Sequence, residues 1–390
     1  NLVGSTETHA REVVISMERM RTIEEVDEQS RTLTTQAGAI LENVQNAAAE
    51  KGLLFPLNFG AKGSAQIGGA ISTNAGGLRV LRYGMTRNLV LGLEAVLADG
   101  TIVSSLKKII KDNSAYDIKQ LFVGSEGTLG IVTRTVLRLV EAPKSRVSAF
   151  VGFNEYDKVV SFLRYMDQGL AGTLSGFELI WKDAYEGLTN DPSVSRPPLP
   201  LDYQYYVLLE GLGSDQEQDQ IRLEALLEEA LNNDLIVDAA VAYSESDLNW
   251  FWHIRENVDA LVTPCKYDQH FDISLPISLI GKTVSSITEQ LKKVEGITHI
   301  NAFGHVADGN IHYIIGKADN STALKNSIND IIYGPLKELG GSVSAEHGIG
   351  LHKKAYLPLC RTSEEITLMK NLKQSLDPKN LLNRGKVLDL

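Results

Sequence analysis

Apolar positions along the chain follow two rhythms. Up to about residue 143 they come in short β-type runs broken by glycine-rich turns, and beyond it they recur at helical spacing between strands. Val13-Val14-Ile15-Ser16 reads as a strand. Residues 40–51 read as a helix, because Ile40, Leu41, Val44 and Ala48 share one face. Residues 93–97 and 101–103 flank Asp99-Gly100, a hairpin turn pair, and 131–139 is a further β-run. After Glu141-Ala142-Pro143 the spacing predicts helices over 214–232, 244–262 and 325–339 and a strand over 205–209. Arg196-Pro197-Pro198-Leu199-Pro200 reads as a surface loop. Residues 377–386 have little apolar surface of their own and are expected to fold back on an earlier domain. The domains expected are 1–143, 144–345 and 346–390, with no internal repeat.

With 390 residues, 43% of them apolar, the chain can fill more than one core. A net charge of −11 argues against a nucleic-acid partner but leaves room for a small anionic substrate, since a few local cations can outweigh a distant surface. Cys265 and Cys360 form no CxxC pair, so neither a disulfide framework nor a zinc knuckle is implied. No apolar run approaches the ~20 residues of a membrane span. The first residues lack a basic start and an apolar stretch, and no initiator Met is present, so the natural N-terminus is expected upstream. A soluble protein of the cytoplasm or mitochondrial matrix is expected.

Two stretches are dense in small residues. One runs from Phe59-Gly60-Ala61-Lys62-Gly63-Ser64 through Ile67-Gly68-Gly69-Ala70 to Thr73-Asn74-Ala75-Gly76-Gly77, and the other is Gly124-Ser125-Glu126-Gly127-Thr128-Leu129-Gly130. Such backbone can approach a bulky ligand, and exposed N–H groups can cradle a pyrophosphate. Neither GxGxxG between a strand and a helix nor GxxxxGK[ST] occurs. Taken alone, the stretches fit tight turns equally well.

Candidate metal chemistry lies further on. Gly304-His305-Val306-Ala307-Asp308-Gly309-Asn310-Ile311-His312 places two histidines around an Asp-Gly turn, and Ser344-Ala345-Glu346-His347-Gly348-Ile349-Gly350 adds a carboxylate and a third imidazole. Two His and one carboxylate form a common ligand set that leaves positions open for substrate. On spacing alone, surface or core histidines remain an equal reading. Trp252-His253-Ile254-Arg255-Glu256 lies on a predicted helix. An inward arginine there could hold a carboxylate through two parallel N–H bonds, and an exposed helix arginine is the alternative.

These motifs together resemble the vanillyl-alcohol-oxidase-type flavoproteins, in the branch of D-2-hydroxyglutarate and D-lactate dehydrogenases. The likeness is carried by Pro56-Leu57, Gly60 to Ser64, Ile67-Gly68-Gly69, Thr73 to Gly77, Arg82-Tyr83-Gly84 and Gly124 to Gly130. The pairs HxGDGNxH and SxEHGxG extend it over essentially the whole chain. Asn1 to Ser5 resembles the end of the family's first pyrophosphate loop, which implies that about half of the FAD subdomain lies upstream.

The fold implied is α+β: a flavin-binding domain, a substrate domain on an antiparallel sheet with helices, and a C-terminal helical segment. FAD contacts implied by the resemblance are Asn1, Gly4, Ser5, Pro56, Gly60, Ala61, Gly63, Ser64, Ile67, Gly68, Gly69, Thr73, Asn74, Gly76, Gly77, Tyr83, Glu126, Gly127, Gly130, Ile131 and Asn383. Zinc or manganese would be held by His305, His312 and Glu346. His347 would be the general base, with a role beside the metal as its alternative. Arg255 would anchor the substrate carboxylate.

The chain departs from the pattern at several positions. Ala115 and Ala307 replace glycines, and Arg384 stands where proline is usual in the tail Asn383-Arg384-Gly385-Lys386. Asp259, His270 and Ile314 replace Thr, Lys and Asn of the 2-hydroxyglutarate enzymes. That removes polar contacts, although Asp259 and His270 remain candidate substrate contacts. The activity implied is FAD-dependent, metal-assisted oxidation of a small D-2-hydroxy acid by hydride transfer to flavin N5. Electrons would pass to an electron-transfer flavoprotein, a quinone or a cytochrome. An oxidase of another alcohol and an FAD-carrying electron-transfer or scaffold subunit are the alternatives, and a homodimer is left open.

Overall fold

A five-stranded antiparallel sheet runs, in spatial order, Ile23–Asp27, Thr32–Gln36, Ile131–Arg138, Val90–Val96 and Ile102–Ser105. The computed structural model that shows it describes residues 2–10, 12–194 and 196–390. The chain divides into two units, one formed by the part up to residue 142 with 344–390, the other by 143–343.

In the first unit the helix Leu41–Ala49 buries Leu41, Val44 and Ala48, the stripe the sequence pattern defined. They join Leu33, Ile67, Ile71, Leu93, Phe122 and Leu137 in one core. The hairpin forms around Asp99-Gly100, with Val96 opposite Ile102. Val13-Val14-Ile15 forms no strand and lies exposed, at 89%, 71% and 61%. A β-branched run becomes a strand only when it pairs into a ladder and buries a face, and this exposed run pairs with neither edge strand, Ile23–Asp27 or Ile102–Ser105. Ala115 takes φ +69, a left-handed conformation that costs a non-glycine residue roughly 1–2 kcal/mol, so this departure has a consequence. The helix Ser363–Leu376 opens on a capping box between Thr362 and Glu365.

The second unit is built on a seven-stranded antiparallel sheet. Its spatial order is Asp238–Val241, Ser145–Phe153, Tyr205–Gly213, Leu174–Trp181, Ile297–Gly304, Asn310–Lys317 and Tyr267–Ser274. The helix Gln216–Asn232 starts on Asp215, whose side chain accepts from Gln218 N. The helix expected over 244–262 is two pieces, Glu245–Glu256 and Asp259–Val262, parted at Asn257. The helix expected over 325–339 begins earlier, at Thr322, capped by Ser321. It stops at Tyr333, and Leu336–Leu339 follows. Pro335 lies at that break, lacking an N–H to continue the ladder. The proline-rich loop is not all surface: Leu199 is 3% exposed, and its N–H and carbonyl both bond the Tyr185 hydroxyl, at 3.0 and 3.1 Å.

Candidate active site

In the first unit several loops meet on one carboxylate. Glu126 is 6% exposed and sits in the left-handed region, φ +50. Its Oε1 accepts from Ile349 N at 2.6 Å. Its Oε2 accepts from Gly350 N at 2.9 Å and from the Ser5 hydroxyl at 2.6 Å. Its carbonyl accepts from Asn383 Nδ2 at 2.5 Å. Gly348, at φ +83, lies so close that a Cβ there would come within 2.8 Å of Glu126 Oε1, so the turn after His347 requires glycine. Of the expected flavin contacts, Ser5, Glu126, Gly127 and Asn383 are therefore gathered around the loop that carries Glu346 and His347. The Glu126 side chain itself is occupied in holding that loop.

The C-terminal segment is fastened to the same place. The Lys373 ammonium, 3% exposed, donates to Thr128 O at 2.9 Å and Leu382 O at 2.8 Å and pairs with the buried Asp377. A lone lysine would not be found so deep, and three acceptors offset its lost hydration.

The glycines of the 59–77 run divide into two kinds. Gly77, at φ +140, passes 2.1 Å from Asn58 O as measured from an added Cβ, and an added Cβ on Gly68 would meet Ala37 at 2.8 Å. The protein's own packing demands these two. Gly60 and Gly69 have no such reason: neither has a positive φ, and a Cβ on either would meet nothing within 4 Å. Gly69 even lies inside the helix Ile67–Thr73, where glycine costs about 0.5–1 kcal/mol relative to alanine. Ala61, Gly63 and Ser64 are exposed beside them, and Thr73 bonds back to Gly69 O at 3.1 Å. A bare, open backbone next to a helix start fits the approach of a phosphate-bearing cofactor. Pro56 and Gly76 are buried, and Ile67 is 1% exposed; Asn74 caps the helix at φ +51 and accepts from Arg87 N at 2.9 Å. Gly4 (φ +72) lies beside Glu7 and His352. Tyr83, Gly130 and Ile131 are half-buried or buried. Asn1 lies outside the described residues.

In the second unit the two histidines flank a tight turn. His305 follows the strand Ile297–Gly304, a short 3-10 turn Val306–Asp308 comes next, and His312 lies on Asn310–Lys317. Gly309, at φ +88, closes the turn where a Cβ would come within 2.5 Å of Leu275 O. The imidazoles stand edge to face, ring centroids 5.3 Å apart, with one nitrogen of each within 4.8 Å of the other. His312 faces the fully buried Asp272 across the ladder, and Asp272 accepts from Asn310 Nδ2 at 2.9 Å. Asn310 Oδ1 is buried with no hydrogen-bond partner among the described residues, an acceptor available to a bound group.

Arg255 is 5% exposed, on the helix Glu245–Glu256, and not on a solvent face. Its Nε donates to Glu178 Oε2 at 2.9 Å, its Nη2 makes an ion-pair contact with the same oxygen at 2.7 Å, and its guanidinium lies 4.8 Å from the Phe303 ring centroid. The other Glu178 oxygen meets His305 Nδ1 at 2.6 Å. Burial pushes the Glu178 carboxyl upward, but the charges and hydrogen bonds of His305 and Arg255 outweigh it and hold the group below its ordinary range. Sequence reading missed Glu178. A signal was present: it is the one charged residue in the buried strand Leu174–Trp181, and a buried charge needs partners. His270 is exposed, with Nε2 on Asp268 Oδ2 at 2.6 Å, and Asp259 is exposed at the start of Asp259–Val262.

Comparison with known proteins gives consistent matches. The model of FAD linked oxidases, C-terminal domain, matches residues 142–387, and that of the FAD binding domain matches residues 1–105. A mitochondrial D-2-hydroxyglutarate dehydrogenase of Danio rerio is 37% identical over 387 residues, covering 99% of this chain and 72% of the relative. The D-2-hydroxyglutarate–pyruvate transhydrogenase DLD3 of Saccharomyces cerevisiae is 32% identical, covering 100% of this chain and 80% of its own. Among solved structures, two crystal forms of alkyldihydroxyacetonephosphate synthase align with TM-scores of 0.72 and 0.70 at 16% and 15% identity. They cover 98% and 94% of this chain, which spans 70% and 66% of theirs, and the likeness is one of fold.

Proposed function

Since the chain belongs to the FAD-linked oxidase family, we propose that it is an FAD-dependent dehydrogenase oxidising a small D-2-hydroxy acid to the 2-oxo acid. The observation that carries the substrate class is in the second unit. His305, one of a pair of imidazoles fit to hold a divalent cation, and the buried Arg255 share one carboxylate, Glu178. A cation and a guanidinium are what an adjacent hydroxyl and carboxylate bind.

FAD would supply the hydride acceptor for C2, and the open backbone at Gly60 to Ser64 and Gly69 suits its phosphates. The donor set fits zinc or manganese: His305 offers Nε2, because Nδ1 is engaged by Glu178, with His312 beside it. Glu346 completes the set in this proposal. The cation would lower the pKa of the substrate hydroxyl. Arg255 orients the carboxylate. His347 takes the hydroxyl proton, its loop fixed by the Glu126 bonds to Ile349 and Gly350.

The distal end of the substrate is short in this proposal. Ile314 is buried, the His270 imidazole is taken by Asp268, and Asp259 is acidic, so none offers a free cation to a second carboxylate. D-lactate fits this better than D-2-hydroxyglutarate. Electrons then leave to an electron-transfer flavoprotein, a quinone or a cytochrome. No helix among the described residues is long and apolar enough to cross a membrane.

The test is dye-linked oxidation of D- and L-2-hydroxy acids by the full-length protein before chelation, after it, and after zinc or manganese is returned. Oxidation of a D-acid that is lost and restored with the metal is expected. Activity on L-acids only, or full activity after chelation, would overturn the reading.

A further inference from the structure

We infer that Glu178 is a positioning residue that fixes the cation ligand His305 and the substrate anchor Arg255 at a set separation. It lies in the strand Leu174–Trp181, hydrogen-bonded on one side to Tyr205–Gly213 and on the other to Ile297–Gly304, and none of its surface reaches solvent. A carboxylate in mid-sheet is costly unless both oxygens are engaged. Here they are divided: Oε1 goes to His305 Nδ1 and Oε2 goes to Arg255 Nε and Nη2.

Two consequences follow from the chemistry of an ionised carboxylate, which only accepts hydrogen bonds. The His305 ring must carry its hydrogen on Nδ1, which leaves the Nε2 lone pair for a cation and raises its basicity. The guanidinium is held by the Nε hydrogen bond and the Nη2 ion-pair contact to one oxygen and by the Phe303 ring beside it, so that Nη1, with no hydrogen bond among the described residues, is the edge left for a ligand. Both groups hang on one side chain of a central strand, a more rigid support than a loop. Glu178 touches neither substrate nor cation in this account; it acts through the two groups that do. The inference rests on the proposed roles of His305 and Arg255.

The test uses full-length, FAD-loaded Glu178→Gln and Glu178→Asp beside the wild type. Zinc affinity is measured by chelator competition without substrate, and KM and kcat for the D-acid are measured at saturating zinc. Glu178→Gln keeps the shape but turns an amide N–H₂ toward one of two donors. Its zinc affinity should fall ~10–100-fold. Its KM should rise about tenfold or more from the disturbed arginine, with a smaller change in kcat. Glu178→Asp should recover part of the zinc affinity. Equal zinc affinity and equal KM in a folded Glu178→Gln protein would overturn the inference while leaving the proposed function standing. A wild type that binds neither zinc nor manganese would overturn both.

Should the variants not fold, the wild type still decides. Its ¹⁵N-histidine spectrum, with His305 assigned by His305→Gln, should show a fixed Nδ1–H tautomer before metal is added. An Nε2–H tautomer would refute the inference.

Discussion

Replacing Glu126 by Gln perturbs one group on which three donors converge: Ile349 N at 2.6 Å, Gly350 N at 2.9 Å and Ser5 Oγ at 2.6 Å. Hydrogen bonds to a charged acceptor are worth ~1.5–3 kcal/mol each. Glutamine keeps one acceptor oxygen, so at least one backbone N–H then faces an amide N–H₂, while Ser5 can rotate to accept. The net loss is about 2–5 kcal/mol at a site 6% exposed. For a unit of this size each kcal/mol moves Tm by about 2–4 °C, so the variant should melt roughly 4–20 °C lower. Because Ile349 lies two residues beyond His347, the displaced loop should also slow flavin reduction, and a misplacement of about 1 Å can cost ~100-fold. The assays are thermal unfolding and anaerobic stopped-flow reduction at saturating acid. An unchanged Tm together with an unchanged reduction rate would refute the idea that this carboxylate holds the loop.

Other perturbations separate the parts of the account. Gly69→Ala should stabilise its helix by about 0.5–1 kcal/mol yet lower the bound FAD per chain, whereas Gly77→Ala should unfold the first unit. FAD retained in full by Gly69→Ala would show that the open glycine serves no cofactor. Glu346→Ala should lose bound metal by elemental analysis, and His347→Ala should keep FAD and metal but lose substrate-driven reduction; the reverse pattern would exchange the two roles. For Asp377, burial pushes the carboxyl up, but the Leu381 and Leu382 N–H groups and Lys373 hold it below its ordinary 3.8. Its stabilisation is therefore present above pH 3.8 and lost as pH falls through the lower folded value. Asp377→Asn should cost ~3–5 kcal/mol at pH 7 by leaving Lys373 buried without its counter-ion. That difference from wild type should shrink below pH 3.8 in urea unfolding, and a constant difference would contradict the assignment.

What was legible in the sequence was local. The 3.6-residue stripe of Leu41, Val44 and Ala48, the Asp99-Gly100 turn and the Asp308-Gly309 turn between two histidines each carry their signal within a few residues. The misreadings have non-local causes. Val13 to Ser16 has the composition of a strand, but it is exposed and pairs with neither edge of the five-stranded sheet. The helix after Ser244 parts at Asn257 without a glycine or proline to announce it. Glu126 and Glu178 are the larger omissions in role. Their partners lie 223 residues away at Ile349, and 77 and 127 residues away at Arg255 and His305. No periodicity reports such pairings; only the presence of a charge in a buried strand hints at one. Arg255 illustrates the difference: the helix was readable, while its burial against Phe303 and Glu178 was a tertiary fact.

The most direct test of the central claim is an anaerobic absorption spectrum of the full-length, FAD-loaded protein as D- and L-2-hydroxy acids are added in turn. The account predicts that the visible flavin bands bleach with a short D-acid and not with its L-enantiomer. Intact bands throughout, with FAD still bound, would contradict it.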